Sequence, residues 1–168
     1  MIGNAWKIIS FLSGLSAKER EKEWELSEIK PKRSYTQNSY YWVLCTKIAD
    51  VLRISKNRVH NMMLRQYGQP EMLGGQLVRT PIPDTEDAEN NALDAEMFHL
   101  KPTSHVRLGD NGQMYRTYVL MRGSSAYNSR EMSILLDGTI DEAKSLDIEV
   151  LPPDEIAKIK ALDKGEKK

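Results

Sequence analysis

The residues able to do chemistry are few and scattered. His60, His99 and His105 are the three histidines, and no two stand four positions apart, the spacing that sets two imidazoles on one helical face to hold a metal. They read as surface or capping residues. A metal-dependent nuclease needs carboxylates converging on a divalent cation, and Asp137, Asp141 and Glu142, or the acids of 84–96, are available for it. Asp137 and Asp141 lie one helical turn apart, but they alternate with the apolar Leu136 and Ile140 and read as a solvated outer face. The run from Asp147 to Leu151 contains Glu149 but lacks the lysine two positions later that many metal-dependent nucleases use. There is no G-x-x-x-x-G-K-[ST] loop, no G-x-G-x-x-G and no G-x-S-x-G elbow, which argues against an NTPase, a Rossmann enzyme and an α/β-hydrolase. Cys45, the single cysteine, sits in an apolar run without a partner, so a disulfide framework and a Cys-rich zinc site are excluded. The chain reads as a non-enzyme with no catalytic and no metal-ligating residues.

Charge is the more informative feature. Lys+Arg and Asp+Glu both number 24, yet they are segregated. Residues 30–66 carry Lys30, Lys32, Arg33, Lys47, Arg53, Lys56, Arg58 and Arg65 against Asp50 alone, whereas 84–96 carry six acids and no Lys or Arg. A local positive face can steer a polyanion even when the total charge is zero. In the basic stretch the cations interleave with Tyr35, Tyr40, Tyr41 and Trp42, a mixture suited to single-stranded nucleic acid, where cations follow phosphates and rings stack on bases. Lys32, Arg33, Arg53, Lys56 and Arg58 are the expected phosphate contacts and Tyr35 or Tyr40 the expected stacking rings. Tyr41 and Trp42 read as packing, and Gln37 as part of a helix cap. Further along, Arg116, Tyr118 and Arg122 share one strand parity and form a second candidate basic face, with Tyr115, Thr117, Val119 and Met121 expected in the core.

Two other readings use the same residues. Leu52–Ser55 fits the turn of a helix-turn-helix, with Lys56, Asn57, Arg58, His60 and Asn61 opening a recognition helix for double-stranded DNA. Alternatively the acidic 84–96 stretch mimics nucleic acid in a protein-only adaptor or an inhibitor of a host enzyme.

The elements that must position these residues follow from periodicity and caps. With 168 residues, 40% hydrophobic and 29% charged, the chain reads as one α+β domain over 1–163 with a frayed tail at 164–168. No apolar run of about 18 residues and no basic leader are present, so a cytoplasmic location and no membrane partner are expected. Ala5–Phe11 reads as a strand, Ser16 with Glu19 as the capping box of a short helix over 17–23, and Trp24–Pro31 as a strand. Ser34 and Gln37 cap a helix over 36–52, and Ser55 caps a second helix that Gly68 ends in a left-handed conformation, giving a helical hairpin over about 36–67. Turn residues make 69–103 a long, mobile, acidic connection, with a turn of helix in 86–97. Asp110-Asn111-Gly112 predicts a hairpin between His105–Leu108 and Met114–Arg122, the small antiparallel sheet. Asn128 and Glu131 open a helix over 129–146, mildly weakened by Gly138, and a last helix follows Pro152 and Pro153.

The string Arg33, Ser34, Tyr35, Thr36, Gln37, Asn38, Ser39, Tyr40, Tyr41, Trp42 resembles the R-S-x-x-Q-N-x-x-x-W segment of the NinB family, the phage recombination proteins typified by lambda Orf. Gly123, Ser124 and Ser125 through Glu131, Met132, Leu135, Leu136, Ala143 and Ile148 look like that family's closing helix. The whole chain looks still more like uncharacterised proteins of phages and prophages of Gram-positive hosts. The resemblance covers about 33–68 and 123–150. It implies a homodimeric recombination mediator in the bacterial host cell that binds single-stranded DNA, works with single-strand-binding protein and a phage recombinase, and needs no cofactor. By position, Arg33, Gln37, Asn38 and Trp42 match the family pattern. The short N-terminal part and the acidic 84–96 stretch depart from it.

Overall fold

The computed structural model describes residues 5–22 and 36–165. The chain divides into two compact units, Met1–Arg33 and Ser34–Lys168. In the first, Ala5–Ser13 is a helix (α1) and not a strand. Ile8, Phe11 and Leu12 are its half-buried residues, and their spacing of three and four is helical; the β-branched pair Ile8-Ile9 concealed it. The short helix α2 (Ala17–Arg20) carries the expected cap, with the Ser16 N–H donating to the Glu19 carboxylate at 3.0 Å. The strand expected at Trp24–Pro31 lies outside the described residues.

The second unit is mixed α and β. Helix α3 (Gln37–Leu52) is capped by Thr36, whose hydroxyl accepts the Ser39 N–H at 3.2 Å. It buries Tyr40, Tyr41, Leu44, Cys45, Ile48 and Ala49. Arg53, not glycine, takes the left-handed position at φ 56° that ends it. Ser55 then accepts the Arg58 N–H at 3.0 Å and starts α4 (Lys56–Tyr67). At its far end Gly68 is extended, φ −79°, not left-handed. Glycine is required there for space: a Cβ would stand 2.9 Å from both Leu64 Cα and Tyr127 Oη.

Helices α3 and α4 pack on α6 (Ser129–Ser145), which opens with the Asn128/Glu131 capping box. Gly138 is no weakness in it. A methyl at that position would stand 2.5 Å from Tyr67 Cδ2, so the glycine is what admits the α4 tyrosine ring. Helix α7 (Pro153–Gly165) closes the core through Ile159 and Ile156.

Residues 69–103 are not an irregular connection. They hold a small hairpin, β1 (Met72–Leu73) and β2 (Gln76–Leu77), then β3 (Arg79–Pro83), α5 (Glu86–Asp94) and the start of β4 (His99–Leu108). Gly74 and Gly75, at φ 56° and 78°, turn the first hairpin. The Asn-Gly turn, with Gly112 at φ 75°, joins β4 to β5 (Met114–Met121) as expected. The three-stranded antiparallel sheet has the order β3-β5-β4. Pro81 and Pro83 are tolerated because β3 is an edge strand, where a missing N–H costs no ladder bond. Among the described residues no helix is long and apolar enough to cross a membrane.

Candidate nucleic-acid interface

Five of the eleven expected DNA contacts are committed inside the protein. Lys32, Arg33 and Tyr35 lie outside the described residues. Tyr40 is 3% exposed and its hydroxyl accepts the Leu151 N–H at 2.8 Å, so it joins the core and does not stack. Gln37 is also buried, with its amide reaching Ser129 O at 3.4 Å. Arg58 donates to Asp94 at 2.8 Å and to Asn90 at 2.5 Å. Arg116 makes a bidentate pair with Asp84, at 2.8 and 3.2 Å. Arg122 pairs with Glu131 at 2.6 Å and sits over the Tyr127 ring. Asn38, Arg53 and Lys56 remain exposed, with Lys56 Nζ 5.5 Å from the Trp42 ring centroid.

The acidic stretch is therefore matched in large part within the protein. Asp84, Glu89 and Asp94 of the acidic stretch bind Arg116, Arg65 and Arg58. Glu96 accepts from the Asn57 amide at 3.0 Å, and Asn61 donates to Leu93 O and Ala95 O at 2.7 and 2.8 Å. The side chains that a recognition helix would offer to a DNA groove are thus held by α5 and the segment after it. Along Ser55–Tyr67, Lys56 stays exposed, while Asn57, Arg58 and Asn61 are held in these contacts. The same contacts occupy four of the six acids that a nucleic-acid mimic would display.

The expectation for β5 holds in part: Val119 and Met121 are buried as expected, but Tyr118 is buried as well. Tyr118 is 2% exposed and donates to Glu89 of α5, so the Arg116–Tyr118 side faces the helix. On the opposite side of the sheet the register aligns Arg79, Val119 and Lys101 in one row and Pro83, Tyr115 and Arg107 in another. Between Pro102 and Val106 the register shifts by two residues, which preserves parity. Arg79, Lys101 and Arg107 are exposed, and among the described residues none of them makes an ion pair. Tyr115 lies half-buried beside Arg107 at the hairpin end, its hydroxyl accepting from Asn111 at 2.9 Å. Reading along β5 alone missed these cations, since they sit on its neighbours. The hairpin turn held the missing signal, because it fixes Arg107 opposite Tyr115.

Where that face ends, two histidines meet. His60 and His99 are not surface residues: His60 is 5% exposed and the two rings contact edge to face, centroids 4.8 Å apart. Tyr41 Oη and His60 Nδ1 share a 2.6 Å hydrogen bond. Burial, reinforced by the neighbouring His99, pushes His60 down to about 4, and burial also lowers His99. Both imidazoles are therefore neutral at pH 7. Burial likewise pushes the Cys45 thiol up to about 12, leaving it inert. His99 Nδ1 lies 2.7 Å from Asn61 Oδ1. Because the Asn61 nitrogen donates to two carbonyls, its oxygen must face His99, so His99 carries its proton on Nδ1 and a lone pair on Nε2. Trp42 packs on His60 with centroids 4.6 Å apart. A cavity of about 220 Å³ opens among Trp42, His60, His99, Asn57, Glu96 and the Gly123–Ser125 turn, and Asn38 borders it. It joins the two stretches that carry the NinB resemblance.

Among the described residues no group of three or more His, Cys, Asp or Glu could hold a metal. Asp137 is paired with Lys160, and Glu142 accepts from Tyr67 Oη at 2.7 Å. No protein-family model matches the chain, and neither the curated proteins nor the solved structures contain a match to it.

Proposed function

We propose that the protein is a non-catalytic accessory factor of phage recombination that binds single-stranded DNA along the face of its three-stranded sheet that carries Arg79, Lys101 and Arg107. The observation that carries this reading is the trio Arg79, Lys101 and Arg107. Among the described residues these cations share one face without an acidic partner, whereas Arg58, Arg65, Arg116 and Arg122 are each neutralised. A gently twisted sheet face cannot enter a duplex groove in the way a helix does, but it can lay a single strand across its rows, with phosphates on the outer cations and bases toward Tyr115. Exposed Asn38, Arg53 and Lys56 extend the polar surface near the cavity. The NinB resemblance supplies the biological setting, with a second copy of the chain, single-strand-binding protein and a recombinase as partners.

The test is fluorescence anisotropy with matched single-stranded and duplex oligonucleotides at about 50 and 200 mM salt. Each phosphate contact with a single strand adds about 0.7 to the slope of log affinity against log salt. Replacing Arg79, Lys101 and Arg107 together by alanine is expected to weaken single-strand binding and to lower that slope by about 2. Duplex preference, or a slope unchanged in the triple variant, would overturn the assignment.

A further inference from the structure

We infer that the cavity at His99 takes one unstacked nucleobase bearing an exocyclic amine, at the end of the single-stranded DNA track proposed above, on which this inference rests. At about 220 Å³ it lies below the roughly 300–1,000 Å³ of sites for drug-sized ligands, so it has room for a ring and not for a dinucleotide. Its position is continuous with the track. His99 and Lys101 share a face of β4 two residues apart, about 7 Å along the strand. That separation lets a phosphate on Lys101 and its neighbouring base at His99 belong to one strand.

The polar atoms of the cavity define what enters. His99 Nε2 is an acceptor, because Asn61 fixes the proton on Nδ1. It stands 3.3 Å from where a Cβ on Gly123 would be, so the absence of a side chain at that turn is what keeps the lone pair accessible. Glu96 is a second acceptor, with one oxygen already receiving the Asn57 amide and the other available. Asn57 donates its nitrogen to Glu96, which leaves its oxygen as a third acceptor, and Asn38, Ser124 and Ser125 also line the cavity with groups that can donate as well as accept. A neutral imidazole, a carboxylate and an amide oxygen repel phosphate and attract N–H groups. The Trp42 and His60 rings supply an apolar ledge against which a base can lie. Cytosine offers an amine and no ring N–H that would be left unpaired, and a carboxylate accepting from the cytosine amine is an established pairing; thymine has no amine to give.

The experiment compares oligo-dC with oligo-dT of equal length, which carry the same phosphates, and titrates deoxycytidine and thymidine alone by tryptophan fluorescence. Tighter binding of oligo-dC by roughly ten-fold is expected, as for one well-made base contact. Glu96→Gln places an amide N–H where the carboxylate accepted, and Gly123→Ala puts a methyl against His99 Nε2. Both are expected to abolish the dC preference while leaving the salt slope as in the parent protein. Equal affinity for oligo-dC and oligo-dT with full binding would overturn the cavity assignment and leave the DNA reading standing. No binding of either oligonucleotide would overturn the DNA reading. Fluorescence that responds equally to the two free nucleosides, or to neither, would overturn the cavity assignment independently.

Discussion

Acidification provides a quantitative test of the histidine cluster. His60 is buried between Tyr41, Trp42 and His99, with Glu96 lining the same cavity. Its folded value of about 4 lies below the ordinary 6.5. The unfolded chain therefore binds more protons than the folded one between those limits, and stability falls as pH falls through that window. The full difference is on the order of 3 kcal/mol at 1.36 kcal/mol per unit, of which about 2 kcal/mol is lost by pH 5. Glu131 separates this effect from ordinary acid denaturation. The Asn128 N–H, and then the Arg122 guanidinium, hold its carboxyl below 4.5, so its contribution persists until the pH falls below that value. The span from pH 6.5 to 5 accordingly reports on the histidines. Urea unfolding at half-unit intervals should show that slope in the parent protein, and a shallower one in His60→Gln, whatever stability that variant has at pH 7. Parallel curves for the two proteins would refute a neutral, desolvated His60.

Two substitutions test the packing directly. Gly138→Ala improves helix propensity by about 1 kcal/mol, yet the new methyl would stand 2.5 Å from Tyr67 Cδ2. Overpacking of this kind costs roughly 1–3 kcal/mol, so thermal denaturation should show a lowered midpoint; a raised one would mean that Tyr67 moves away freely. Tyr40→Phe leaves the ring in the core but removes the acceptor of the Leu151 N–H. A loss of about 1 kcal/mol is expected, whereas unchanged stability would mean that this hydrogen bond contributes nothing to the fold.

How much was legible depended on which partner each element has. Helices α3, α4 and α6 bury apolar stripes against one another, so their periods and caps are written in Leu44, Ile48, Val59, Leu135, Ile140, Ser55 and Asn128. Helix α5 was hidden because its partner is basic. Ala92 is its one buried residue, while Glu89, Asn90 and Asp94 face arginines of α4. Such a helix has no apolar stripe to detect and reads as solvated loop. Strand β3 was masked by its two prolines. In the site, Asn38 and Trp42 were found as part of a motif, but the convergence of His60 with His99 has no sequence spacing, since α4 and β4 bring it about through Asn61. The basic stretch was visible and its use was not, because sequence records charge without recording what faces it.

The acidic segment also makes a prediction about where a polyanion is kept away. Asp84 and Asp94 hold Arg116 and Arg58 in pairs that are partly exposed to solvent, and pairs of that kind contribute about 0–1 kcal/mol each. Their larger effect is to withdraw two cations from the surface and to leave Arg79, Lys101 and Arg107 as the face on which phosphates gain most. Asp84→Asn with Asp94→Asn should therefore change stability little but release two guanidinium groups. Single-stranded DNA affinity is expected to rise, and the salt slope to steepen by up to about 1.4 if both form phosphate contacts. The added contacts would lie on the helix-covered side of the sheet, so substituting Arg79, Lys101 and Arg107 in that background should leave residual binding that the parent protein lacks. An unchanged slope in the double variant would mean that α5 excludes DNA from Arg58 and Arg116 by its bulk and not by its charge.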